Sequence, residues 1–479
     1  MTRAMTSPRR RAVGPVEFGR PTGHVAPGPA GTVLGGSIGA MRRDELTLLV
    51  DAANRFGDVV RFELGPRAAH VSAHLIRHPD HVHHVLLEAR DNYEKSFTYR
   101  VLGRILGRGL VTSEGELWTR QRRIIQPIFR HSTIAGFAPL MTAACDDLVR
   151  GWDAFAAAGS PVDVAGEMSR LTLDIVGRAL FSSDLSADAA AVGPAVGVVL
   201  RDVIERLTSP VALATMVVPA LPTAANRRTK AALATLDEVV GLLIARRRIL
   251  PEADRPVDLL SMLLSGDGRS GEAMSDQQVR DEVMTFLIAG HETTANALAW
   301  TWYLLSLHPL VARRVRDELS AVLAGRMPAG DEVDKLDYTK AVVQEAMRLY
   351  PPVAAIERDA KEDDEIGGYR IPAGTTVIIS PWVSHRNPAF WPAPEAFDPE
   401  RFLDDRPARQ PRYTYLPFGA GPRQCIGAAF ALQEATIALA ALASRFRADL
   451  VPGHPIEPQI GVTVRPKHGL RMTLHRAAD

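Results

Sequence analysis

The 479-residue sequence is poor in the features that mark several protein classes. It has two cysteines, Cys145 and Cys425, which are too few for a disulfide framework or a cysteine-rich metal site and favour a reducing compartment. Its formal net charge is +1. A surface built to grip nucleic acid or an anionic membrane needs a large positive excess, so neither function is indicated.

Long apolar runs are also missing. No stretch approaches the roughly 20 apolar residues of a membrane-spanning helix, and the first 32 residues carry Arg, Pro and Gly without the apolar segment of a signal peptide. We predict a cytoplasmic protein without a membrane anchor, in which residues 1–25 form a flexible tail and residues 26–479 form the folded domain.

Most of the remaining sequence has helical patterning. Strand signals cluster at residues 59–71 and at residues 366–379, the second around a turn at residues 372–374. No internal repeat or low-complexity linker divides the chain. The expected fold class is mainly α with a small β region, in a single large domain.

The clearest helix is predicted over residues 276–308. Ser275 and Gln278 have the spacing of a capping box, and the middle of the segment is apolar on every face, as in a helix buried at a domain centre. Polar residues nevertheless interrupt it at residues 290–294, Gly-His-Glu-Thr-Thr. Buried polar groups need partners, and such a local departure indicates function.

The most specific segment is residues 418–427, Phe-Gly-Ala-Gly-Pro-Arg-Gln-Cys-Ile-Gly. Its glycines allow tight turns and close backbone approach to a flat ligand. Cys425 precedes an apolar helical run, and a helix N-terminus stabilises a thiolate, the form that haem iron or a soft metal requires. A lone cysteine is more often buried and inert, an interpretation that suits Cys145. A dinucleotide loop is rejected because the glycine spacing and the preceding strand are missing.

Five of these positions, Phe418, Gly421, Arg423, Cys425 and Gly427, reproduce the F-x-x-G-x-R-x-C-x-G haem-binding loop of cytochromes P-450. The sequence therefore resembles that family over about residues 25–475. The resemblance implies haem b bound by the Cys425 thiolate as axial ligand, with Phe418, Arg423 and Gly427 as further cofactor contacts.

Three other segments match family motifs in the family's order. Glu345 and Arg348, by themselves an ordinary i,i+3 ion pair, would form a buried structural triad with Arg401. Trp118 and Arg122 would reach a haem propionate, as would Arg358 and Arg423. Arg120, Arg123, Arg409 and Arg412 are compatible either with a basic docking patch or with an ordinary solvated face.

The third segment is the polar interruption of the central helix. By resemblance, Gly290 would leave room for dioxygen, Thr293 would hydrogen-bond it, and Glu292 would relay protons towards it. A zinc-protease H-E-x-x-H motif fails because position 295 is alanine. A polar patch facing solvent or another helix is the alternative interpretation of Thr294.

The implied activity is that of a monooxygenase that uses O2 to hydroxylate or epoxidise an apolar small molecule of terpenoid, fatty acyl, steroid or polyketide type. An external ferredoxin or flavodoxin with its NAD(P)H reductase would supply electrons. Predicted substrate contacts are Phe286, Ala289, Val353, Ala354, Ala355 and Ile356. The alternatives are a non-catalytic haem sensor or carrier, a peroxide-driven oxygenase and a haem-thiolate isomerase.

A histidine-rich segment at residues 74–84 suggests a metal site, but it has no tetrahedral ligand spacing. We predict an amphipathic helix whose histidines are exposed.

Overall fold

The computed structural model describes residues 24–33, 35–65, 71–208, 223–266, 274–404 and 406–477. Residues 1–23 of the predicted tail lie outside the described residues. Its last part is attached to the fold: His24 bridges Tyr369, and the Arg370 N–H donates to the His24 carbonyl at 3.0 Å.

The helices follow one another along the whole described chain, with short 3-10 or π turns between some of them. They are α1 (Ile38–Phe56), α2 (Pro79–His83), α3 (Phe97–Leu106), α4 (Gly115–Ile125), α5 (His131–Ala158), α6 (Val164–Phe181), α7 (Ala189–Thr208), α8 (Ala224–Ile249), α9 (Leu259–Ser265), α10 (Asp276–Leu307), α11 (Pro309–Leu323), α12 (Gly330–Val333), α13 (Asp337–Leu349), α14 (Pro381–Ser384), α15 (Arg406–Arg409) and α16 (Ala428–Ala443).

The strands are short and form small sheets. They are β1 (Val59–Leu64), β2 (Val71–Ile76), β3 (Tyr93–Lys95), β4 (Pro161–Asp163), β5 (Ile356–Ala360), β6 (Asp364–Ile366), β7 (Tyr369–Ile371), β8 (Thr376–Ile379), β9 (Phe446–Leu450), β10 (Pro458–Ile460), β11 (Val464–Pro466) and β12 (Arg471–Arg476). The largest sheet has the order β1-β2-β8-β5-β3, and β4-β12-β9 form a second one. The predicted fold class, mainly α with a small β region, is confirmed.

Helix α10 runs through the centre of the molecule, as predicted. Its capping box is present, since Ser275 Oγ accepts from the Gln278 N–H at 3.3 Å and Gln278 Oε1 accepts from the Ser275 N–H at 3.1 Å. It packs most extensively against α6 and also against α13 and α16. An added Cβ on Gly290 would lie 3.0 Å from Val176 Cγ2, so this glycine lets α10 and α6 pack closely.

The prediction for the histidine-rich segment is wrong in one respect. Helix α2 forms there, but His81 is 5% exposed, and His74 lies on β2 and is 2% exposed. Burial lowers the pKa of each to about 4, so both are neutral core residues rather than an exposed face.

In the described parts of the chain, no helix is both long and apolar enough to cross a membrane.

Candidate active site

A large cavity separates α10 from the loop that precedes α16. One wall consists of α10 residues that include Phe286, Ala289, Gly290 and Thr293, and the facing wall is residues 416–427. The empty space of the cavity, including the part that is open to solvent, is about 1590 Å³. The two most unusual sequence segments therefore face each other across one cavity.

Cys425 lies on the loop side of this cavity. Its N–H donates to the Phe418 carbonyl at 2.9 Å, which closes the loop into a compact turn. Gly421 has a φ of +70°, and an added Cβ there would lie 2.4 Å from the Leu86 carbonyl oxygen. Only glycine fits this position, so the loop geometry depends on it.

The surroundings of the Cys425 sulfur act on it in opposite directions. Burial raises the pKa of the Cys425 thiol, whereas the Gly427 N–H and the Arg122 guanidinium lower it. A side chain at Gly427 would place its Cβ 4.0 Å from the sulfur. Cys145, in contrast, is fully buried inside α5, and burial raises its pKa above the usual range of a thiol. Cys145 is a core residue, as predicted.

One end of the cavity is strongly basic. Arg122, Arg358 and Arg423 all line it. The Arg423 guanidinium lies 3.9 Å from the centre of the Trp118 ring and forms an ion pair with Glu114. The Arg122 guanidinium lies 5.7 Å from the centre of the same Trp118 ring. It also donates to the Gln424 carbonyl at 3.0 Å.

Lys95 completes this basic end, and sequence reasoning missed it. It lines the cavity, is 7% exposed, and lies directly opposite Arg358 in the register of β3 and β5. Burial and the nearby Arg423 lower the pKa of Lys95 to about 7. Like charges opposite one another destabilise a strand pair, so this end of the cavity favours an anionic ligand. No motif surrounds Lys95 in the sequence, and only the strand pairing reveals it.

Thr293 and Glu292 are neighbours in sequence but face different spaces. Thr293 lines the main cavity, and its hydroxyl donates to the Ala289 carbonyl at 2.9 Å. Glu292 lines a second cavity together with Arg201 and Arg465. Its Oε1 accepts from the Thr463 hydroxyl at 2.9 Å, while its buried Oε2 has no hydrogen-bond partner among the described residues. Burial raises the pKa of Glu292.

The predicted triad is assembled below the loop. All five N–H donors of Arg348 have acceptors: two bonds of 2.7 and 2.8 Å go to Glu345, and the others go to the carbonyls of residues 385, 394 and 396. Arg401 Nε lies 3.4 Å from Glu345 Oε1, as an ion pair rather than a hydrogen bond. Glu345 and Arg348 are both 0% exposed.

His385 connects this triad to the cysteine loop, and it too was missed. Its Nε2 accepts from the Leu416 N–H at 2.7 Å, and its Nδ1 lies 3.2 Å from the Arg348 carbonyl. Burial and Arg348 lower the pKa of His385 to about 3. The ring is therefore neutral, with the proton on Nδ1, and it bridges the two elements.

Four of the six residues predicted as substrate contacts line the cavity. Phe286, Ala289, Val353 and Ile356 line the cavity, but Ala354 and Ala355 do not. Ala354 packs with Leu46, Trp382 and Val464, and Ala355 packs against the cluster around β1 and β2. Their prediction as substrate contacts is corrected accordingly.

A third missed residue is Glu434 on α16. It is 0% exposed, and neither carboxyl oxygen has a hydrogen-bond partner among the described residues. The nearby Thr294 hydroxyl lowers its pKa, but burial outweighs that effect and raises it well above the usual value. Thr294 thus faces α16 as well as the cavity.

Comparison with known proteins agrees with this geometry. The family model "Cytochrome P450" matches residues 26–472. The chain belongs to the cytochrome P450 family. It is 39% identical to cyclooctatin synthase of Streptomyces melanosporofaciens over 442 residues, which cover 91% of this chain and 93% of the relative.

Two further relatives carry names that state an oxygenation. Cyclooctat-9-en-7-ol 5-monooxygenase of the same species is 37% identical and is matched over 83% of this P450 and 84% of its own length. Pentalenene oxygenase of Streptomyces avermitilis is 33% identical, with 94% and 96% covered. This P450 is a monooxygenase that binds haem b through a cysteine thiolate and uses O2, a redox partner and a small-molecule substrate.

The residues present fit a haem. The cavity is bounded by a thiol on one wall and by the small residues Ala289 and Gly290 on the other. The paired cations Lys95 and Arg358, together with Arg122 and Arg423, suit the two propionate groups of haem b.

Proposed function

We propose that Cys425 is the thiolate ligand in this monooxygenase, and that the substrate is an apolar molecule of terpenoid type. One observation carries the first part: of the two cysteines in the chain, Cys425 faces the cavity and Cys145 is enclosed by core side chains. We also propose that residues 26–479 act as one haem domain, which is supported by the burial of Ala26 in the core, 2% exposed.

Haem b, when bound, supplies the iron centre at which one atom of O2 enters the substrate and the other leaves as water. The basic end of the cavity orients the cofactor: Arg122, Arg358 and Arg423 are suited to bidentate contact with carboxylates, and Lys95 adds a point charge. Phe418 and Gly427 shape the space beside the sulfur. The triad of Glu345, Arg348 and Arg401 holds this loop through His385.

Proton supply is assigned to Thr293 and Glu292. Because the Thr293 hydroxyl donates to the Ala289 carbonyl, its lone pairs are left to accept a hydrogen bond in the cavity. Glu292 faces the second cavity, and burial raises its pKa, so its carboxyl holds a proton to higher pH than an exposed glutamate and would supply protons from that side of α10 towards Thr293. Gly290 also lines the main cavity, and because it has no side chain it leaves space on α10 beside Thr293.

The apolar wall of the cavity supports the substrate class. Away from the basic end, Leu110, Val111, Leu180, Phe286, Val353 and Ile356 line it. Phe286 stacks on Phe129, with ring centres 5.6 Å apart. Two relatives are named for oxidising pentalenene and cyclooctat-9-en-7-ol, and both names denote largely hydrocarbon molecules. Hydroxylation or epoxidation of a terpenoid follows as the proposed reaction.

We propose a ferredoxin or flavodoxin, with its NAD(P)H reductase, as electron donor. The Arg122 bond to the Gln424 carbonyl places α4 beside the cysteine loop. Arg123 on α4 and Arg412 before the loop are exposed. Such cations suit an acidic small redox protein that docks on the sulfur side.

The test of the ligand is the absorption spectrum of the dithionite-reduced protein under carbon monoxide. We expect the strongly red-shifted Soret band of a haem thiolate in the wild type and in a Cys145→Ala control. Cys425→Ala should lose that band. A thiolate band retained by Cys425→Ala, or absent from correctly folded, haem-loaded wild type, would overturn the assignment.

The substrate class is tested by titration with pentalenene and other sesquiterpene and diterpene hydrocarbons, compared with palmitate and testosterone. Terpenoids should give the larger spectral shift and, with a ferredoxin and its reductase, oxygenated products. Turnover of the fatty acid or steroid alone would contradict the proposal.

A further inference from the structure

The segment between α3 and α4 lies directly against the central helix beside the cavity. Residues 107–113, which we call the wall loop, include Leu110 and Val111, and both line the cavity. The position of the loop therefore sets part of the shape of the cavity through these two residues.

Two glycines allow the close approach. An added Cβ on Gly107 would lie 2.1 Å from Asp281 Oδ1, and one on Gly109 would lie 2.1 Å from Thr285 Oγ1 and 2.7 Å from the Asp281 carbonyl oxygen. Gly107 also has a φ of +91°. Side chains at either position would collide with α10, so the loop backbone is seated directly on the helix.

Two successive carboxylates of α10 then bind alternate amides of the loop. The Arg108 N–H donates to Asp281 Oδ2 at 2.7 Å, and the Leu110 N–H donates to Glu282 Oε2 at 3.0 Å. Asp281 is 4% exposed and Glu282 is 0% exposed. Asp281 is itself held by Gln277, which donates to its Oδ1 at 2.7 Å.

The carbonyls of the same loop are bound from the other side. Gln121 donates to the Arg108 carbonyl at 2.7 Å, and Lys95 donates to the carbonyls of Leu110 and Ser113 at 3.3 and 2.7 Å. The wall loop is therefore held by its backbone from α10, from α4 and from the basic end of the cavity.

We propose that Asp281 and Glu282 are positioning residues that fix the wall loop and thereby determine which bulky apolar ligands the cavity accepts. This inference rests on the proposed function, because it concerns selectivity at the same site. Neither carboxylate lines the cavity, so their effect on ligands passes through Leu110 and Val111. Burying two adjacent carboxylates is costly, and the bonds they make to the loop offset that cost.

The variants are chosen to separate position from charge. Glu282→Ala removes the acceptor for the Leu110 N–H, whereas Glu282→Gln keeps an oxygen there. Gly109→Ala forces the loop away from Thr285. Gly103→Ala is the matched control, because its added Cβ would be in ordinary contact, 3.5 Å from Thr112 Cβ. Should Gly109→Ala fail to fold, Glu282→Ala, which adds no atoms, carries the test.

The first readout is hydrogen exchange in the haem-loaded protein. We expect the Arg108 and Leu110 amides to exchange about tenfold faster or more in Glu282→Ala and Gly109→Ala, since the first loses a hydrogen bond to the loop and the second loses its geometry. Glu282→Gln and Gly103→Ala should stay close to wild type.

The second readout is affinity, with imidazole and clotrimazole as probes that ligate haem iron. Imidazole is a single five-membered ring, whereas clotrimazole carries three aryl rings on its imidazole and should therefore contact Leu110 and Val111. Glu282→Ala and Gly109→Ala should weaken clotrimazole binding by about tenfold and imidazole binding by less than about threefold, because a loosened wall must be ordered again on binding. Glu282→Gln should restore the wild-type ratio.

An unchanged ratio of the two dissociation constants, or unchanged exchange at both amides, would overturn the proposal as a selectivity device. The carbon monoxide band keeps this result separate from the proposed function. If the wild type and the variants all show the thiolate band, the ratio of the clotrimazole and imidazole dissociation constants tests the wall-loop proposal alone. If the wild type lacks it, the proposed function fails, and amide exchange still reports whether the carboxylates hold the loop.

Discussion

Glu345 and Glu292 are both glutamates on long buried helices, but their surroundings differ in completeness. Glu345 accepts two bonds from Arg348 and one from the Asp398 N–H at 2.9 Å, with Arg401 nearby. Glu292 accepts one bond, from Thr463, and its Oε2 is buried without a hydrogen-bond partner in the described chain. Glu345 is therefore saturated with hydrogen bonds, whereas Glu292 is not.

The difference separates architecture from chemistry. A saturated buried ion pair resists change, because the removal of either member leaves an uncompensated charge. An unsaturated carboxyl can gain and lose a proton at little structural cost, which is the property that a proton relay needs. The triad of Glu345, Arg348 and Arg401 therefore keeps the cysteine loop in place. Glu292, in the middle of α10, is able to change its protonation state.

The largest effect is expected when the saturated ion pair of Glu345 and Arg348 is broken. Arg348→Ala should destabilise the protein by about 3–5 kcal/mol, with loss of bound haem, because Glu345 and three carbonyls lose their donor together. Thermal denaturation and haem content per chain measure this. Arg316→Ala, on the outer helix α11, serves as the control, and equal stability of the two variants would refute the role of the triad.

On the unsaturated side, the largest effect is expected from Thr293→Ala. The variant should keep its haem and its thiolate band but release peroxide in place of product, since the cavity loses its hydroxyl acceptor. Product formed per NAD(P)H consumed, with hydrogen peroxide assayed in parallel, tests this. Coupling equal to that of the wild type would remove Thr293 from the relay.

Glu292→Gln sharpens the comparison directly. The amide keeps an oxygen for the Thr463 hydroxyl, so the free energy of unfolding should change by about 1 kcal/mol or less. Turnover should fall by about a hundredfold, the usual size of a lost general acid, with a larger solvent isotope effect. A stability loss as large as that of Arg348→Ala would mean that Glu292 is structural.

The smallest effect concerns Glu282, where burial raises the pKa to about 8. Asp281 reinforces the shift, and Lys95 and the Leu110 N–H oppose it. The native protein holds this proton between about pH 4.5 and 8, where the unfolded chain has lost it, so rising pH favours unfolding. Relative to Glu282→Gln, the melting temperature of the wild type should fall by roughly 2–4 °C from pH 5 to pH 8. A constant difference across that range would contradict the raised pKa.

The sequence predicts the parts whose constraints are local. The cysteine loop and the capped central helix carry fixed spacings within about ten residues, and both lie where the motifs predicted. Lys95, His385 and Glu434 act through partners that are distant in sequence, so no local pattern marks them. Strands as short as β10 and β11, of three residues each, are too short for alternation to show. Ala354 and Ala355 were misplaced because sequence distance from a motif does not show which side chains are covered by core residues from distant elements, such as Leu46 and Val464 around Ala354.

The wall loop is gripped by its amides and carbonyls and not by the side chains of Leu110 and Val111. Whatever residues occupy those two positions, the bonds to Asp281, Glu282 and Lys95 have the same backbone atoms to hold. The position of the loop backbone therefore does not depend on which side chains stand at residues 110 and 111. Evolution, or an engineer who wants a different product, can exchange the two apolar side chains while the surface that carries them stays where it is.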